Sequence, residues 1–321
     1  MLRWRNEPAI LMGLRFGLQG KAIALMGENF AIVNLDGLSA PATALIERVS
    51  EAVGGIIKPI QIKRIAEADA QAALIHTESE IKITELRQRA MHRLVNEEAK
   101  KQENMEAITK MALPELGEKS QPQNLEVDWI TNFFDKCRIV SDAEMQQLRA
   151  KVLAGEANGP GRYSKRTINF LGSLGKEEAT LFTRLCGFGW TIGGSFVPLV
   201  LDYQNELYTQ NGINFPVLLD LESIGLITFN HIATFAKEKL PKQVISDYNG
   251  QRVNLTFQNE ASDTLDIGHV VLTAIGAQIA LIANPSPVDG FFDHVLTKWS
   301  SQFVVISSPY PRSAPDKIPQ V

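Results

Sequence analysis

Cysteine is scarce: Cys137 and Cys186 are the only two in 321 residues. Two thiols cannot build the disulfide framework of a small secreted scaffold, nor a four-thiolate zinc site within one chain. Long apolar runs are missing too, and no uninterrupted stretch approaches the roughly 18 residues of a membrane-crossing helix. Met1–Arg5 is basic and Ile10–Gly13 apolar, in the order of an export signal, but Arg15 and Lys21 interrupt the run and no small-x-small cleavage site follows it cleanly. With few cysteines and no export signal, a cytoplasmic location is expected. Neither sign of charge dominates. Thirty-two basic against thirty-six acidic residues give a net charge of −4, which excludes a chain that coats nucleic acid by bulk charge and leaves room for a local basic patch.

Catalytic and metal-binding patterns are equally thin. The histidines, His76, His92, His231, His269 and His294, form no His-x-x-x-His or His-Glu-x-x-His pair. Both cysteines stand among apolar residues, where inert buried thiols are expected. The glycine-rich run Gly187–Gly194 lacks the Lys-Ser/Thr ending of a phosphate loop and reads as a packed turn. No catalytic residue, cofactor or metal site is assigned, and the expectation is a non-enzymatic protein.

What is present is helical periodicity. A hydrophobic share of 45% and a length of 321 residues are enough for a sizeable core and about two domains. The reading is a mainly α protein: a long helical or coiled-coil N-terminal segment, a helical bundle, then an α+β winged-helix-like C-terminal region. Residues 1–58 form an N-terminal region. Within it, residues 1–26 place Leu2, Trp4, Ile10, Leu11, Leu14, Phe16 and Leu18 beside Arg3, Arg5, Arg15 and Lys21, so an amphipathic helix touching a membrane surface is one reading and a packing or oligomer helix another. Leu45, Ile46 and Val49 give Ala42–Val53 a helical face. Residues 59–113 read as one long helix, since neither glycine nor proline occurs from Ile60 to Leu113. Its apolar positions, Ile65, Ala68, Ala72, Ile75, Ile83, Leu86, Ala90 and Leu94, make a thin stripe that fades after Val95. Such a helix is marginal alone, so self-association into a homo-oligomer, or a fold-back onto the same chain, is expected.

Residues 114–124 read as a linker and 125–212 as a helical domain. Ser141 and Glu144 read as a capping box opening a helix with Met145, Leu148, Val152 and Leu153. Ser164 and Thr273 read as caps of further helices. Residues 213–307 read as the α+β region: a helix over Phe215–Ile224, a strand at Leu226–Phe229, a hairpin turning at Asn249-Gly250, helices over 274–283 and 290–301, and a strand at 303–306. Residues 308–321, with four prolines, read as a tail.

One loop, Gly159–Thr167, gathers site-like residues. Arg162, Lys165 and Arg166 cluster at a helix start with Ser164, an arrangement that suits an anion or an acidic partner. A structural reading of the same residues is preferred: Glu156 pairs with Arg162 or Arg166, and Ser164 acts only as a cap.

Asp128-Trp129, Phe133-Phe134, Ser141-Asp142-x-Glu144-Met145-Gln146-x-Leu148, Leu153-Ala154-Gly155-Glu156, Pro160-Gly161-x-x-Ser164-x-Arg166-Thr167 and Phe170-Leu171, with the upstream Pro59-x-x-x-Lys63-Arg64-x-Ala66-x-Ala68, resemble a bacterial family of uncharacterised proteins, a domain of unknown function. The resemblance covers most of residues 40–190 and departs at Arg149, where the family often has tryptophan or another bulky residue. It implies a mobile-element or prophage setting and a role in phage defence; it carries no reaction. Residues 215–283 resemble the winged-helix layout, with Leu272-Thr273-x-x-Gly276 recurring there. Three functions follow as expectations: a self-associating protein presenting a head to a protein partner; a DNA-binding winged-helix regulator; and a membrane-surface effector. Nucleic acid is not favoured, because Phe215–Ile224 carries Asp220 and Glu222 and no basic residue.

Overall fold

The computed structural model describes residues 38–54, 85–257, 264–300 and the backbone of 304–307. The expected amphipathic segment 1–26, the stripe from Ile65 to Ile83 and the tail 308–321 lie outside the described residues. The chain is mainly helical with an α+β C-terminal region, and every described element belongs to the unit Ala40–Val321.

Six helices make up the first part: α1 (Ala40–Val53), α2 (Glu85–Ala112), α3 (Val127–Cys137), α4 (Ala143–Asn158), α5 (Lys165–Ser173) and α6 (Lys176–Cys186). Helix α1 buries Ala42, Leu45, Ile46 and Val49, the face its spacing predicts, against α3. Helix α3 buries Trp129, Ile130, Phe133, Phe134 and Cys137, with Trp129 and Phe133 stacked at 5.3 Å between centroids.

Helix α2 has two halves of different character. Glu85 to Glu98 is exposed at every residue. From Asn104 onward Ile108, Thr109 and Ala112 are buried, and this half packs on α4. Asn104 Nδ2 donates to the Arg138 carbonyl at 2.8 Å, and Gln146 Nε2 donates to Asn104 Oδ1 at 3.0 Å. The stripe that fades after Val95 in the sequence thus gives way to a second one, and that one holds the helix to the body.

The segment read as a linker carries two 3-10 turns, Leu113–Glu115 and Pro122–Asn124. It is tied to the end of α4: Gly117 N donates to Asn158 Oδ1 (2.8 Å), and Gln121 N to the Ala157 carbonyl (2.9 Å). The cap of α4 is Asp142, not Ser141. Its carboxylate accepts from Met145 N at 3.0 Å, so Glu144 falls one place short of the capping-box position and pairs with Lys176 instead.

The C-terminal part comprises β1 (Gly189–Ile192), β2 (Ser195–Pro198), α7 (Glu206–Thr209), α8 (Phe215–Ser223), β3 (Ile227–Phe229), β4 (Phe235–Lys237), β5 (Gln243–Tyr248), β6 (Gln251–Phe257), β7 (Leu265–Gly268), β8 (Val270–Leu272), α9 (Ala274–Ala280), α10 (Phe291–Ser300) and β9 (Val304–Ser307). The expected hairpin forms in the expected register, Tyr248 opposite Gln251. Asn249 (φ 48°) and Gly250 (φ 83°) both take the left-handed conformation that a two-residue primed turn requires. The hairpin is no isolated ribbon. It forms the middle of a five-stranded antiparallel sheet ordered β2-β1-β5-β6-β9. The inner face buries Trp190, Ile192, Val244, Tyr248, Val253, Leu255 and Phe257, and α10 covers it with Phe291 and Trp299, the latter 4.9 Å edge-on from Trp190. Two small antiparallel pairs, β3–β8 and β4–β7, complete the region. One continuous core runs from Leu45 to Trp299.

Candidate functional site

The loop between α4 and α5 is held from three directions. From below, Glu156 is buried and its carboxylate accepts the amides of Gly161 (2.6 Å) and Tyr163 (2.7 Å). From one side, Trp129 Nε1 donates to the Tyr163 carbonyl at 2.8 Å. The Tyr163 ring fills the space over Gly155, where an added Cβ would meet it at 2.8 Å, so this glycine is required by close approach. From the other side, Gln278 on α9 accepts from Ser164 N at 3.0 Å and from the Thr167 hydroxyl. Ser164 caps α5, its Oγ accepting from Thr167 N at 3.2 Å.

Burial pushes the Glu156 carboxyl above its ordinary range, and the amides of Gly161 and Tyr163 pull it part of the way back. Burial likewise pushes the Tyr163 phenol up to about 12. Of the predicted site residues, Ser164 is in place as the cap. Arg162, Lys165 and Arg166 are all exposed. Glu156 spends both its oxygens on loop amides rather than on an arginine, and none of the three cations is in an ion pair within the described residues. The loop is thus a preformed mount that shows three free positive charges to solvent.

Arg149 is buried. Its Nη1 donates to the Met145 carbonyl (3.0 Å) and its Nη2 to the Leu171 carbonyl (2.8 Å), joining α4 to the end of α5. The planar guanidinium satisfies two buried carbonyls. It also lies beside Cys137, whose thiol burial pushes up to about 12, so Cys137 stays a protonated core group.

A second feature gives no sequence signal. Tyr203, Phe215, Phe229, His231 and His269 come together from separate loops and elements: Tyr203 lies edge-on to Phe229 (5.4 Å) and to His269 (5.1 Å), and Phe215 to His231 (6.0 Å). Beside them opens a cleft of about 530 Å³ lined by Tyr203, Gln204, Thr209, Asn214, Phe215 and Pro216. Among the described residues no group of three or more His, Cys, Asp or Glu side chains is placed to hold a metal ion, and no helix is long and apolar enough to cross a membrane.

Fold and site together define a mainly helical protein whose α+β C-terminal region buttresses a cationic loop. A family model described as "Protein of unknown function (DUF2806)" matches residues 88–296, more than half of the chain, and the chain belongs to this family. The match takes in the whole of the Asp128–Leu171 motif set, runs from within α2 to within α10, and starts beyond the Pro59–Ala68 stretch. Comparison with curated proteins and with solved structures gives no match.

Proposed function

We propose that this chain is a non-enzymatic bacterial interaction protein. It self-associates through the segment around residues 59–113 and presents its helical and α+β head to a macromolecular partner, with phage defence as the setting that the family resemblance suggests. The observation that carries this reading is the two-part helix α2. Its second half is anchored in the core, while Glu85–Glu98 stands free at every position with Leu86, Met91, Leu94 and Val95 exposed. A helix of this composition gains little from its own propensity and is stabilised by a partner. Light scattering on the full-length protein should give at least a dimer at micromolar concentration; a strict monomer overturns the reading.

The three free cations of the 159–167 loop favour a second reading, a DNA-binding regulator in which the C-terminal elements act as a winged helix. Against it, α8 carries Asp220 and Glu222 and no basic residue. A groove-entering helix brings arginine or lysine to phosphates and bases. A shift assay on random duplex separates the two. Weak binding lost between about 50 and 200 mM salt agrees with a surface patch only, whereas tight sequence-specific binding reverses the ranking.

A further inference from the structure

The exposed half of α2 carries a seam that is complementary to itself. Arg87, Met91, Leu94 and Glu98 follow one another at steps of four, three and four residues, the spacing of a coiled-coil seam. All four are exposed, Met91 by 40% and Leu94 by 53%, and Ala90 and Val95 flank them. The seam has an apolar centre and ends of opposite charge. Arg87 is in no ion pair within the described residues, while Glu98 is held by its neighbour Lys101 at 2.6 Å.

We infer that a second copy of this chain covers this seam in antiparallel orientation, with the two-fold axis between Met91 and Leu94. The inference rests on the self-association proposed above and adds its direction and register. Turned end for end about that axis, Met91 meets Leu94 of the other copy and Arg87 meets Glu98, while Ala90 and Val95 line opposite edges of the seam. Each copy gives and receives the same set, as an isologous contact requires. In the parallel arrangement Arg87 faces Arg87 and Glu98 faces Glu98 within the seam, which places like charges together where water is being excluded. The pairs Arg89–Glu85 and Arg93–Glu97, each 3.4 Å, lie within one helix and are well exposed, so they neither oppose nor supply the pairing.

Charge exchange tests orientation and self-association separately. All the substitutions fall on exposed positions, so each protein should fold as the parent does. Arg87→Glu alone and Glu98→Arg alone each set like charges against one another in the antiparallel pair and should raise the dimer dissociation constant at least about tenfold. The double variant Arg87→Glu/Glu98→Arg restores opposite charges and should return the dimer to near its original strength. In a parallel pair each residue meets its own copy, so all four proteins would dimerise alike; that result overturns the antiparallel register and leaves self-association standing. If all four are monomers by sedimentation equilibrium, both fall, and the seam is covered from within the same chain.

Discussion

At the scale of single residues, Glu156 does the most to shape the candidate site. Its carboxylate holds two loop amides, so its removal leaves buried donors unpaired. Burial raises its pKa in the folded state. The folded protein therefore binds more protons than the unfolded chain between the two pKa values, and this one residue makes stability fall as pH rises through that window. Glu156→Gln should remove that contribution. It should also cost about 1–3 kcal/mol, because one loop amide then faces an amide nitrogen that cannot accept. Thermal unfolding of both proteins across the carboxylate range checks this; parallel pH profiles would contradict it. The sequence showed Glu156 and the loop cations but not their arrangement. Proximity in the chain suggested an ion pair, whereas a buried carboxylate beside unpaired amides is satisfied by the amides, which are already desolvated. The cap of α4 lies one residue past Ser141 for a related reason: Ser141 and Asp142 are both good caps, and only the backbone path decides between them.

At the scale of elements, local chemistry was legible where it is self-contained. The Asn249-Gly250 turn, the Ser164 and Thr273 caps and the apolar faces of α1 and α3 follow from short-range rules. Gly276 shows where the rules stop. Thr273 caps α9, and Gly276 three residues on allows that helix to rest on Leu226, whose carbonyl oxygen an added Cβ would approach to 1.9 Å. The motif was visible; the close approach that requires it was not. The hairpin was likewise predicted, but its place at the middle of a five-stranded sheet depends on β1 and β9, which lie far off in sequence. Gly250→Val is therefore expected to disturb more than a ribbon. It forces a β-branched residue into a positive φ at roughly 1–3 kcal/mol, and circular dichroism should show the whole protein melting earlier. An unchanged melting temperature would show that the turn relaxes at no cost.

At the scale of the molecule, the continuous core links parts that the composition separates. Gln278 bridges α9 to the 159–167 loop, and the segment read as a linker is fixed to α4, so the cationic loop is mounted on both the helical and the α+β parts. The aromatic cluster around Tyr203 is not legible in the sequence because its members come from a helix, a strand and loops that share no periodicity. The exposed half of α2 is legible in the sequence as a thin stripe; its anchoring half is not, because Asn104 and Thr109 carry polar side chains into the core. This division bears on how self-association is tested. Deleting residues 60–113 would remove Ile108 and Ala112 from the core and unfold the head, so point changes before Glu98 are the cleaner probe. The most direct measurement is sedimentation equilibrium of the full-length protein beside Met91→Glu/Leu94→Glu, with thermal unfolding of each. A self-associated parent, a monomeric variant and closely matched melting temperatures are expected. A monomeric parent, or a variant that associates as the parent does, would contradict self-association through this half of α2.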